Sequence, residues 1–236
     1  MNRRALLTGI GTKKLPLLPY VPWKVDEKSQ APIYPRTPLG KPPLLSPQAP
    51  WGLAVYRTDY SDDAAWRRMQ AELERHAAEA LGRSRRAGLL LRHHMAFMDE
   101  DRAVLDGAWR GHVREMFTLW AAEELRGNWN PTEDSPKPDL ISARGTDFRS
   151  PGYRAGARYN FCLMVDADDL ISLDSETPTV KILRKDYNRE WEASSLSSPT
   201  AAGVDKGRDA YRLPLSSYVG ACRILLDPDN WYSKDE

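Results

Sequence analysis

The stretch RYNFCLMVD, residues 158–166, decides the fold class, because it is the most strand-like segment of the chain. Its middle part, FCLMV (161–165), is apolar at every position, so a strand built from it would bury both of its faces. Such a pattern is typical of a strand in the centre of a sheet. The chain is therefore predicted to fold around a buried sheet.

Three further segments predict strands of that sheet. WGLAVYRT (51–58) alternates between two faces, as a half-buried strand does. GLLLRHHMAFM (88–98) and TVKILRK (179–185) are apolar runs of strand length. Together with the central segment they predict four strands.

Helices are predicted between these strands. The first begins at Ser61, which has the side chain of an N-cap, and ends at Gly82. The second is capped by Asp106 and runs to Gly127. Apolar residues recur at helical spacing in both segments.

A third helix, capped by Ser216 or Ser217, follows the last strand, and ADDLISLDS (167–175) predicts a short helical turn. The resulting order is strand–helix–strand–helix–strand–strand–helix, which predicts the α+β class. Four strands and two long helices predict a two-layer α/β sandwich of ferredoxin-like size. The pattern does not give the order of the strands in the sheet.

The sequence divides into an arm and one domain. Residues 1–50 hold ten of the 18 prolines, spaced for an extended polyproline conformation that cannot build a core of its own. Within this arm Pro19, Pro22 and Trp23 fall in PYVPWK, which has the PxxP-plus-cation form of a ligand for proline-recognising proteins. Residues 51–236 are predicted to form a single α+β domain with long polar loops at 127–157 and 188–210.

Composition excludes several classes of function. The 34 basic and 33 acidic side chains leave a net charge of +1, without the electrostatic footprint of a nucleic-acid-binding or membrane-surface protein. No apolar run reaches the roughly 18 residues of a membrane span. The two cysteines, Cys162 and Cys222, lie in apolar segments and predict buried thiols in the cytoplasm.

The layout resembles a large group of fungal proteins without an established activity. The resemblance covers residues 51–232 and rests on four stretches, which are WGLAVYRTDY with the following Trp66, LDGAWRGHVREMFTLW (105–120), ARYNFCLMVDADDLISL (157–173) and LDPDNWY (226–232). It implies one α+β domain in a fungal cytosol. It implies no mechanism, cofactor or site residue.

Two adjacent histidines are the first candidates for chemistry. If 88–98 is a strand, its alternate residues face opposite sides. His93 then lies on the apolar face at the edge of the core, and His94 lies beside Arg92 on the other face. Neighbours on opposite faces cannot bind one metal ion, and no other Cys or His residues have the spacing of a zinc site. We therefore predict no metal and keep His94 alone as a candidate acid or base.

Acidic residues follow two of the predicted strands. Asp99 and Asp101 come after the histidines, where either could orient His94. In DADD (166–169) the carboxylates could bind Mg²⁺, but capping of the short helix that follows is the favoured interpretation. No P-loop, GxGxxG or GxSxG motif is present, so no cofactor is predicted.

Two functions from different classes fit this sequence, so the sequence does not decide whether the protein is an enzyme. The first is a non-catalytic binding module that uses the arm and the long loops to contact a protein partner or a second copy of the chain. The second is a small cofactor-independent enzyme with His94 as acid or base. In that case Arg92, or Arg149 and Arg154 from the long loop, would bind an anionic substrate.

Overall fold

A five-stranded sheet forms the centre of the protein. The computed structural model describes residues 45, 49–84, 87–129, 155–185 and 210–225. Its strands are β1 (Ala54–Arg57), β2 (Ala96–Met98), β3 (Phe161–Val165), β4 (Thr179–Arg184) and β5 (Ala210–Pro214). The strand order is β2-β1-β3-β4-β5, so the segment predicted to be central is the middle strand. The first three strands are parallel, and β4 runs antiparallel to both of its neighbours.

Helices cover both faces of this sheet. The α-helices are α1 (Asp63–Arg83), α2 (Arg102–Leu105), α3 (Arg110–Asn128), α4 (Ala157–Asn160), α5 (Ala167–Ser172) and α6 (Tyr218–Ile224). Two 3-10 helices, Ala87–Arg92 and Leu215–Ser217, precede β2 and α6. The α+β class is therefore confirmed.

The core has two halves, one on each face of the sheet. Leu163 of β3 packs with α1 and α6, whereas its neighbours Cys162 and Met164 pack with α3. The connection from β1 to β2 moves toward one side edge of the sheet, and the connection from β2 to β3 moves back past β1 toward the other side edge. Right-handed crossovers in opposite directions place their helices on opposite faces. The structure thus has three layers where the sequence predicted two.

The start of α1 corrects one prediction. Asp62, not Ser61, is the N-cap, because its carboxylate accepts hydrogen bonds from the backbone N–H groups of Ala64 (2.8 Å) and Ala65 (2.9 Å). The helix then runs one residue beyond Gly82. The sequence predicts an apolar face of Trp66, Met69, Leu73, Ala77, Ala80 and Leu81, and all of these but Ala80 are buried.

The predicted strand 88–98 is wrong over most of its length. Residues 87–92 form a 3-10 helix, and only Ala96–Met98 join the sheet. Trp51, which lies outside the segment in sequence, stabilises this turn. Its indole N–H donates to the Leu89 carbonyl, and its backbone N–H donates to the Arg92 carbonyl (both 2.9 Å). Periodicity within the segment cannot reveal such a partner.

Two other boundaries differ from the sequence prediction. The second long helix starts at Arg110 with Trp109 at the cap position, and Asp106 instead follows the short helix α2. Gly107 (φ +74°) lies in the turn between α2 and α3. Strand β5 is a fifth strand that begins at the last residue of the predicted loop 188–210, in a segment for which the sequence predicted no strand.

The last residues of the arm belong to the packing of the domain. Leu45 forms an antiparallel bridge with Trp129, and both are buried with Ala49 against the end of α3. No helix in the described part of the chain is long and apolar enough to cross a membrane.

Candidate functional site

The two histidines lie where β2 approaches the sheet, in different environments. The ring of His93 is half-buried, with its centroid 4.4 Å from that of Trp51 and 5.8 Å from that of Tyr218. Burial lowers the pKa of His93 to about 4, and the adjacent His94 and Arg158 add to the effect. His93 is therefore a neutral packing residue at physiological pH. His94 is exposed.

The acids proposed to orient His94 lie at the other end of the sheet. Asp99 accepts a hydrogen bond from the Trp66 indole N–H (2.7 Å), and Asp101 occupies the cap position of α2. Five residues of extended chain span roughly 15 Å, so Asp99 is far from His94. The structure does not bring His94, Asp99 and Asp101 together. Arg149, Arg154, Pro19, Pro22 and Trp23 are outside the described residues.

The DADD segment (166–169) caps a helix, as predicted. Asp166 accepts from the backbone N–H groups of Asp168 (3.1 Å) and Asp169 (3.3 Å), and the Asp169 carboxylate accepts from the Asp166 N–H. The ammonium of Lys181 occupies the position between these two carboxylates. Among the described residues, no three His, Cys, Asp or Glu side chains are arranged to hold a metal ion.

Both cysteines are free and buried, on opposite faces of the sheet. Burial raises the pKa of each thiol far above its ordinary value. A thiol that stays protonated is a poor nucleophile, so neither cysteine is set up for catalysis.

The carboxyl edge of the sheet, where β1, β2 and β3 end, is joined by hydrogen bonds between segments at the ends of the strands. Open α/β sheets place ligands at this edge, where neighbouring strands connect in opposite directions. Here that position lies between β1 and β3. The backbone N–H and hydroxyl of Thr58 both donate to the Val165 carbonyl (2.9 and 3.1 Å), and Gly107 N–H donates to the Thr58 carbonyl (2.9 Å). These bonds join the segment that follows β1 to the end of β3 and to the segment that follows α2.

The amino edge, where β1, β2 and β3 begin, carries the long connections instead. Three long segments join the described domain here, and they are 1–44, 130–154 and 186–209. The Leu45–Trp129 bridge and the hydrogen bond from Lys185 N–H to the Asn160 carbonyl (2.9 Å) fix these attachment points. The described residues that flank the proline-rich arm and both predicted loops therefore lie at one edge.

An exposed apolar surface lies at the same edge. Leu91 is 91% exposed and Leu90 is 37% exposed on the 3-10 helix that precedes β2. We call Leu90, Leu91, Arg92 and His94 the amino-edge surface. A large aliphatic side chain that is almost fully exposed gains nothing from the fold of its own chain, and clustered exposure of this kind marks interaction sites.

A small cavity lies beneath this edge. Its volume is about 20 Å³, room for a single water molecule. The lining residues include Leu45, Trp51, Gly52, Arg158 and Cys222. The cavity is too small for a substrate or cofactor.

Comparison of the chain with protein-family models, with curated proteins and with solved structures found no match. The sequence resemblance to fungal proteins therefore remains a prediction.

Proposed function

We propose that this chain is a non-catalytic binding module that contacts a protein partner through its amino-edge surface, the proline-rich arm and the long loops. The observation that carries the proposal is the 91% exposure of Leu91 at the edge where the arm and the loops join the domain. Exposed apolar side chains contribute to binding when a partner removes them from water.

Two features of the sequence support a protein as the partner. The PYVPWK segment of the arm has the form that aromatic-lined grooves recognise, with Pro19 and Pro22 in the groove and Trp23 beside them. The balanced charge of the chain favours neither nucleic acid nor an anionic membrane. The two reduced thiols fit a cytosolic location.

The enzyme alternative has less support. It needs His94 and an orienting acid on one substrate, whereas His94 lies at the amino edge and Asp99 at the carboxyl edge. We therefore rank it below the binding module.

The proposal is tested with four full-length baits in a fungal cytosolic extract. The baits are the wild type, Leu91→Glu, Ile171→Glu and the double variant Pro19→Ala/Pro22→Ala. Ile171 is the matched control, because it is 71% exposed on α5 at the carboxyl edge.

We expect the wild type and Ile171→Glu to capture the same protein, and the other two baits to lose it. If the captured protein is the chain itself, the partner is a second copy and size-exclusion chromatography gives the stoichiometry. Equal capture by Leu91→Glu and Ile171→Glu would overturn the proposal.

A further inference from the structure

A buried cluster of two acids and one base holds the carboxyl end of β3. We call Asp166, Asp169 and Lys181 the acid–lysine cluster. The Lys181 ammonium donates to Asp166 (2.5 Å) and to Asp169 (2.9 Å), and its side chain is 7% exposed. Asp169 is fully buried, while Asp166 is about one-third exposed.

The hydrogen bonds of Asp169 are uneven. Its Oδ2 accepts from Lys181 and from the Asp166 N–H, but its Oδ1 has no partner among the described residues. A buried carboxylate oxygen that accepts no hydrogen bond is costly when the group is charged. The same atom becomes a hydroxyl when the group takes up a proton.

The charges of the cluster do not balance. Two carboxylates and one ammonium leave one negative charge in a low-dielectric interior, where an uncompensated charge is expensive. Among the described residues, Arg212 from β5 approaches Asp168 instead (3.8 Å), and Arg68 from α1 pairs with Asp174 (2.7 Å). One proton would make the cluster neutral.

We infer that the acid–lysine cluster is a proton-binding site in which Asp169 is the proton acceptor and Asp166 stays ionised against Lys181. Burial raises the pKa of Asp169 to about 7, an effect that Lys181 opposes and Asp166 reinforces. Burial also acts to raise the pKa of Asp166, but the hydrogen bond and charge of Lys181 outweigh it and hold that pKa below its usual value.

Loss of the proton weakens the corner between α5 and β4. This corner is closed by Ser172. Its hydroxyl accepts from the Thr179 N–H (3.0 Å), and its single O–H has the Asp169 carbonyl (2.7 Å) or the Thr179 carbonyl (3.1 Å) as acceptor. Asp169 lies on α5 and Lys181 on β4, so a net charge in the cluster lowers the stability of the contact between these two elements. The corner is therefore coupled to pH near neutrality.

The sign of the pH dependence follows from the raised pKa. Unfolded Asp169 releases its proton near pH 4, whereas the folded chain holds it until about pH 7. The stabilisation is complete below pH 4 and is lost as the pH rises to 7. Over this window each pH unit lowers the folding equilibrium constant by up to about tenfold.

The test compares urea unfolding of the wild type, Asp169→Asn and Asp168→Asn between pH 5 and 8. Asparagine resembles the protonated carboxyl in shape and charge, so the stability of Asp169→Asn should lose this pH dependence. Its free energy of unfolding should therefore rise relative to that of the wild type as the pH increases. Asp168 is 60% exposed, so Asp168→Asn should keep the wild-type profile. Parallel profiles for the wild type and Asp169→Asn would overturn the inference.

A second measurement applies even if Asp169→Asn fails to fold. The carboxyl carbon of Asp169 is followed by NMR in the wild-type protein as the pH changes. A titration midpoint near 7 supports the inference, and a midpoint near 4 or below overturns it.

Discussion

Arg158 is the residue on which the amino edge depends most. It is buried, and one Nη donates to the carbonyls of Gly52 and His94 (both 2.7 Å). Its other Nη pairs with Glu124 (2.8 Å), and its guanidinium lies 5.1 Å from the ring centroid of Trp120. It thus ties β1, the approach to β2 and α3 together. In the sequence Arg158 is only the last of four arginines spaced four to five residues apart, which begin at Arg144, and its partners are distant in the chain.

Replacing Arg158 with methionine should lower the free energy of unfolding by about 3 kcal/mol, because it leaves Glu124 and two carbonyls without their donor. Urea unfolding measures the change. The control is Arg68→Met, which removes an ion pair between exposed side chains and should have no measurable effect. Similar losses for the two variants would contradict the role of Arg158.

Gly52 is a second residue whose identity the fold requires. Its φ of +112° is unfavourable for other residues, and an added Cβ would lie 2.8 Å from the His94 carbonyl oxygen. We expect Gly52→Ala to cost about 1–3 kcal/mol. Gly82→Ala, in α1 with open space around it, should instead stabilise by up to about 1 kcal/mol. Thermal unfolding measures the melting temperature of each variant. A rise in melting temperature for Gly52→Ala as well as for Gly82→Ala would show that Gly52 is not strained.

At the scale of elements, the sequence predicts best where one segment carries its own signal. The all-apolar residues 161–165 became the central strand, and α1 buries its predicted stripe. The strand prediction for 88–98 failed because the first part of the segment forms a turn that is hydrogen-bonded to Trp51 and leaves Leu91 in solvent. Strand β5 was missed because its pairing with β4 is long-range and its segment lies in a polar context. Local patterns do not encode such contacts.

The N-cap of α1 gives an element-scale prediction. Asp62→Ala removes two hydrogen bonds to the first turn and should cost about 1 kcal/mol. Ser61→Ala should leave the free energy of unfolding unchanged, although the sequence favoured Ser61 as the cap. Circular dichroism with urea measures both variants. A larger loss for Ser61→Ala would contradict the observed cap.

At the scale of the whole molecule, the two edges of the sheet have different roles. The carboxyl edge is joined by short, hydrogen-bonded connections, including Thr58 with Val165. The amino edge contains the residues at which the arm and the long loops join the described domain, together with the exposed Leu91. The sequence identified the arm, the loops and the exposed His94. It could not show that the attachment points of the arm and loops share an edge with His94, because that depends on the strand order.

The most direct test of the proposed interface places a photo-cross-linking amino acid, p-benzoylphenylalanine, at Leu91 or at Ile171 of the full-length protein in living cells of its source organism. Both positions are exposed, so the substitution should not disturb the fold. We predict that position 91 forms a covalent adduct with a partner protein and that position 171 forms none. Adducts of equal yield from both positions, or from position 171 alone, would contradict this prediction.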